Sequence, residues 1–183
     1  MKPFLCICVF AMGFSLSAND PRLPRPDQVD KPENIKFIVP DKSTLAGIVV
    51  DNTEAKLVGE WKHSVHTPPF VGVSYIHDMK EKKGQKSATF TPDLPRTGLY
   101  EVRVSHNSNI RRANGVPVTV HHSKGKTTVK IDEGKPAPIA KLFRSIGLFH
   151  FKQGRAGSVT ISTEGTDGKY VIVDAVQFLI VMP

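Results

Sequence analysis

The sequence predicts an all-β fold, an antiparallel β-sandwich of jelly-roll type with about ten strands, and three observations carry the prediction. Short runs rich in β-branched and aromatic residues recur along most of the 183 residues, several of them alternating apolar with polar side chains. Fourteen Gly and fourteen Pro fall largely between those runs, where turns are needed. No window holds a sustained 3.6-residue apolar period, so no helical layer is predicted.

Residues 1–18 come first and read as a secretory signal. Lys2 precedes the apolar run 4–14, and the small-residue stretch Ser15-Leu16-Ser17-Ala18 follows. The run is too short to be a lasting anchor, and no other stretch approaches the ~20 apolar residues that spanning needs. The expected location is therefore periplasmic or extracellular. Both cysteines, Cys6 and Cys8, fall inside the removed segment, which leaves the mature chain without a thiol or a disulfide.

Residues 19–42 hold Pro21, Pro24, Pro26, Pro32 and Pro40 among alternating charges, the composition of an extended lead-in. Its end, Ile35 to Val39, is either part of that tether or an added edge strand. The sandwich then occupies 43–183. Strands are expected at 47–50, 58–63, 71–77, 87–91, 100–106, 116–121, 127–131, 145–151, 158–162 and 170–181. In the fifth, Tyr100, Val102 and Val104 alternate with Glu101, Arg103 and Ser105, so one face should be wet. Pro95-Arg96-Thr97-Gly98, Asn114-Gly115, Ser123-Lys124-Gly125, Lys152-Gln153-Gly154 and Thr166-Asp167-Gly168 supply turns.

The chain is basic, with 25 Lys+Arg against 17 Asp+Glu. Removing Lys2 with the signal leaves a net charge of +7 (24 − 17). An exported basic protein meets anionic surfaces: acidic polysaccharide, lipid headgroups or cell wall. The alternative is a merely solvated face. Nucleic acid is not expected, because the lysines are scattered and no helix-turn-helix, RNA-recognition or zinc-finger pattern occurs. No phosphate-cradling glycine loop, Gly-x-Ser-x-Gly elbow or His-Glu-x-x-His is present. His121 and His122 point to opposite faces of a strand and so cannot chelate one ion.

Several motifs in register resemble one family. They are Gly59-Glu60-Trp61-Lys62-His63-Ser64, Val71-Gly72-x-x-Tyr75-Ile76-His77-Asp78 and Gly84-x-x-Ser87-Ala88-Thr89-Phe90. Further along come Leu94-Pro95-x-x-Gly98-x-Tyr100-Glu101-Val102, Arg112-Ala113-Asn114-Gly115-Val116-Pro117-Val118 and Gly147-x-Phe149-x-Phe151. The last is Gly165-Thr166-Asp167-Gly168-x-x-Val171-Ile172-x-Asp174-Ala175-Val176-Gln177-Phe178. Together they are similar to the golvesin C-terminal, xanthan-lyase carbohydrate-binding-like domain, over about 49–179. The resemblance implies a sandwich of the galactose-binding, carbohydrate-binding-module kind. Such domains occur at the ends of polysaccharide lyases and of FAD-dependent oxidoreductase-like proteins. This chain departs from the pattern in carrying Phe143 before Ile146-Gly147, where many such stretches have Trp.

The readings of individual residues remain paired. Trp61, the only tryptophan, is a core anchor or a sugar-stacking plate. Tyr75, His77 and Asp78 end a strand and place hydroxyl, imidazole and carboxylate at one rim, suited to polyols, unless Asp78 instead caps the lysine-rich loop that follows. Arg111 and Arg112 form a guanidinium pair able to grip carboxylate or sulfate, or Arg112 bridges to Asp174 or Asp78 inside the fold. Asp174 interrupts an apolar run and must be satisfied by Arg or backbone donors, or ligate a structural calcium. No other cofactor is expected.

The expected function is an exported, non-catalytic module recognising polysaccharide, acidic in the sharpest version. A structural or adhesive role in an envelope or matrix is the alternative. A third reading, part or remnant of a xanthan lyase-like or oxidoreductase-like protein, rests on the resemblance alone.

Overall fold

The computed structural model describes residues 39–166 and 168–182; the signal expected over 1–18 and the lead-in up to residue 38 lie outside them. Two short 3-10 turns, Lys42–Thr44 and Asn52–Glu54, flank β1 (Ile48–Asp51), and each is capped by the aspartate before it, Asp41 and Asp51. The strands that follow are β2 (Lys56–Val58), β3 (Lys62–Ser64), β4 (Tyr75–His77), β5 (Ser87–Phe90) and β6 (Gly98–Ser105). Then come β7 (Val116–His122), β8 (Gly125–Ile131), β9 (Phe143–Phe151), β10 (Ser158–Ser162), β11 (Ile172–Val173) and β12 (Ala175–Ile180).

A four-stranded sheet in the order β1-β12-β6-β9 faces a five-stranded sheet in the order β2-β5-β10-β7-β8, and every strand pair is antiparallel. The chain passes repeatedly from one sheet to the other, as a jelly roll requires. Alternation explains the layer between them. Tyr100, Val102 and Val104 of β6 are buried against Phe90, Val118, Val120, Val159 and Ile161 of the facing sheet, all in one core cluster. Each such side chain removed from water stabilises the fold by about 2 kcal/mol. Tyr100, Phe151 and Phe178 meet edge to face, with ring centroids 6.0 and 5.6 Å apart.

The described residues contain twelve strands rather than about ten, because two expected strands each divide between sheets. The run 58–63 breaks at Gly59, whose φ of +77° turns the chain out of the five-stranded sheet; β2 pairs with β5, and β3 pairs with β4. A side chain at that glycine would stand 2.8 Å from Lys86 Cγ. The run 170–181 breaks at Asp174. Its first part, β11, pairs with β4, whereas β12 joins the four-stranded sheet between β1 and β6. The expected strand 71–77 is strand only from Tyr75, since Gly72 takes a φ of +68°. The result is a small third sheet, β11-β4-β3, and the candidate site is built on it.

Candidate functional site

Tyr75 and His77 are two apart on β4 and project from the same face of the small sheet. Ser64 of β3 lies opposite Tyr75, and its hydroxyl donates to the phenol oxygen at 3.0 Å. On the far side the segment 107–113 runs past Tyr170: Tyr170 N donates to Arg111 O and Ala113 N to Tyr170 O. These elements enclose a cleft of about 480 Å³ whose lining includes Tyr75, His77, Arg111, Arg112 and Tyr170, with Ile110 at the rim 85% exposed. Four of the side chains expected at a rim are thus brought together.

Arg112 forms the floor. Only 8% of it is exposed, and its Nη2 donates to Asn107 Oδ1 at 2.8 Å and to Thr67 Oγ1 at 3.2 Å. Its Nε is buried without a partner. The guanidinium carbon lies 5.9 Å from the Tyr75 ring centroid and 5.8 Å from that of Tyr170, within cation–π reach of both. Among the described residues, Arg112 enters no ion pair. The bridge to Asp78 or Asp174 does not form.

The charge on Arg112 tunes its neighbours. Burial disfavours ionisation of Tyr75, but hydrogen bonds from Ser64 and Thr67 and the charge of Arg112 outweigh it, so the phenol titrates below its ordinary value. Burial first, and repulsion from Arg112 second, hold His77 below the usual imidazole value. His77 Nδ1 accepts from Met79 N–H at 3.2 Å, which leaves Nε2 to carry the proton of the neutral ring. Lys80 Nζ sits 4.8 Å from the Tyr170 centroid, adding a second cation at this edge. The cleft is therefore positively charged, with no carboxylate in its lining.

The other expected residues lie elsewhere. Asp78 is completely buried, outside the lining of the cleft. Its carboxylate accepts from Lys80 N–H and Val171 N–H at 3.1 and 3.0 Å and pairs with Lys83 at 2.5 Å, tying the loop after β4 to the segment before β11. Trp61 packs partly against the main core, and its Nε1 donates to Val58 O at 3.0 Å, closing the turn between β2 and β3. Asp174 is also completely buried, and accepts from Val71 N–H at 3.0 and 3.2 Å and from the Ser105 hydroxyl. Calcium takes about six to eight oxygen ligands, so this donor set of one amide and one hydroxyl does not fit it. Among the described residues no group of three or more His, Cys, Asp or Glu side chains is placed to hold a metal. Burial, only partly offset by those hydrogen bonds, raises the Asp174 pKa to about 8.

Sequence reasoning missed Tyr170, Ser64, His66 and Thr67 in the lining, and the buried Glu133, whose carboxyl feels the charge of Arg112. Glu133 is wholly buried; Oε2 accepts from Ile172 N–H at 2.8 Å while Oε1 has no partner, and burial raises its pKa well above the usual carboxylate value. Ile131-Asp132-Glu133-Gly134 reads as a strand running into an exposed turn, so nothing in it signals a buried acid. Tyr170 did carry a signal, an aromatic residue directly after a turn.

A sequence profile of the golvesin C-terminal domain matches residues 48–180. The chain is 36% identical over 147 residues to a xanthan lyase of Bacillus sp. (strain GL1); the alignment spans 78% of this chain and 16% of the lyase. The solved Paenibacillus xanthan lyase superposes with a TM-score of 0.70 at 33% identity, over 74% of this chain and 13% of the enzyme. A family 35 carbohydrate-binding module from Clostridium thermocellum matches along 97% of its own length and 73% of this chain, with a TM-score of 0.51 at 12% identity, and so shares the fold.

Proposed function

The chain belongs to the golvesin C-terminal domain family, and on that premise we propose that it is an exported, non-catalytic module that binds anionic polysaccharide in the cleft between β4 and the segment 107–113. The observation that carries this reading is Arg112. A guanidinium that is more than nine-tenths buried and in no ion pair among the described residues, with the Glu133 carboxyl that feels it pushed by burial toward the neutral form, is a costly charge that an anion in the cleft would offset. A charge-assisted hydrogen bond to a guanidinium favours a carboxylate, such as that of a uronic acid, over a neutral hydroxyl. Arg111 and Lys80 add longer-range attraction. Binding rather than turnover is supported by the carbohydrate-binding-module fold and by the Tyr75 hydroxyl, which is held at 3.0 Å by Ser64 on a residue only 2% exposed. Xanthan, the polymer in the name of the lyase relatives, is a sensible first ligand.

Affinity electrophoresis through gels containing xanthan, alginate or a neutral glucan tests the proposal. Retardation by the acidic polymers, lost in Arg112→Ala, is expected. Equal retardation by the neutral glucan contradicts it, as does the release of ultraviolet-absorbing unsaturated ends, which would mark a lyase.

A further inference from the structure

The outer face of the five-stranded sheet carries a feature that the cleft does not use. In register across it stand Lys56, Thr89, Thr160, Thr119 and Thr128, one from each strand. Thr89 and Thr160 share a hydrogen bond at 3.0 Å and Thr119 and Thr128 one at 2.8 Å, so each pair retains acceptor lone pairs and one hydroxyl proton for a ligand. Ser87 and Ser162 face one another in the next row on one side, and Ser158, His121 and Lys126 in the row on the other. These side chains are half-buried or exposed. A groove of about 410 Å³ crosses the sheet here, lined from β2 by Val58, from β5 by Ser87, from β10 by Thr160 and Ser162, from β7 by Thr119 and His121, and from β8 by Lys126. None of the five strands contains an Asp or Glu, whereas Lys56, Lys126 and Lys130 lie on this face; Glu164, just after β10, is the one carboxylate in the groove's lining.

From this arrangement we propose a second binding surface, separate from the cleft, on which an extended anionic polysaccharide lies across the strands. Strands about 4.8 Å apart give five strands a span of roughly 19 Å, so successive hydroxyls repeat along the path of the chain. Hydroxyl rows exchange hydrogen bonds with sugar hydroxyls and donate to carboxylates, and the lysines supply charge complementarity. His121 is the one ring in the groove's lining, which holds no Phe, Tyr or Trp to stack nucleobases. Val58 is its only large apolar side chain, too little for the buried centre of a protein interface. The surface shares the ligand class proposed for the cleft but none of its residues.

Two groove variants, Thr119→Val with Thr160→Val and, separately, Lys126→Glu, are compared with Arg112→Ala in the full chain. Each is run through alginate gels and titrated with a trimeric oligouronate, and melting curves confirm that each is folded. The groove variants should lose about threefold in retardation by the polymer, the size expected for exposed polar contacts, with oligouronate affinity unchanged. Arg112→Ala should lose the oligouronate. If the groove variants run like the parent protein while Arg112→Ala does not, the groove proposal falls and the cleft reading stands. The reverse pattern supports the groove and removes the cleft. A parent protein that alginate does not retard overturns the groove outright.

Discussion

Arg112 and Asp174 are both buried and ionisable, and the fold treats them in opposite ways. The Arg112 guanidinium lies between two neutral oxygens and two aromatic rings and enters no ion pair among the described residues. Asp174 gives up its charge instead. With a folded pKa of about 8 against 3.8 in the unfolded chain, the native state holds a proton that the unfolded state releases across that window. Its contribution to stability is therefore fully present below pH 3.8 and declines as the pH rises through about 8. Asp174→Asn keeps an acceptor for Val71 N–H and removes the titration. In thermal melts the variant should be more stable than the parent at pH 8, by about 1–3 kcal/mol, and should gain little at pH 4. Equal melting differences at the two pH values would show that the carboxyl is not held neutral. His106 works against this trend: burial and then Arg144 lower its pKa to about 4, so its contribution is lost as the pH falls from 6.5 toward 4.

The small sheet exists because two longer runs were interrupted, and each interruption has a local cause. Gly59 turns the chain at positive φ, and Trp61 closes that turn through Val58. Trp61→Phe retains most of the packing and loses the hydrogen bond. It should lower stability by about 1 kcal/mol in denaturant titration and leave oligouronate affinity unchanged; a matching loss of affinity would place the indole in the ligand path. The second interruption, Asp174, was visible in the sequence as a carboxylate within apolar residues, but its consequence was not. A period-2 pattern cannot show that the strand leaves one sheet and enters another, because both halves are buried on both faces. Alternation in β6 and the turns at Asn114-Gly115 and Ser123-Lys124-Gly125 were legible because they depend on residues close in sequence. The cleft was legible as far as Tyr75, His77, Arg111 and Arg112, which lie in two short segments. Ser64 and Tyr170 reach it only through long-range pairing, of β3 with β4 and of Tyr170 with Arg112. Asp78 shows the limit from the other side: adjacent in sequence to His77, it turns inward because neighbours on a strand face opposite ways.

At the scale of the molecule, two stacked sheets form a rigid support, and the cleft and the hydroxyl groove are carried on separate surfaces of it. On the proposed function the excess of positive charge would draw both toward anionic polymers, and among the described residues it is the cleft that holds a desolvated guanidinium to choose among them. Calorimetric titration of a uronic acid oligosaccharide into the folded chain, beside its Arg112→Lys variant, measures that choice. Saturable binding by the parent, weakened by about tenfold or more when the fork becomes a point charge, is the predicted result. Binding of equal strength in the lysine variant, or in the parent for a neutral oligosaccharide of the same length, would contradict it.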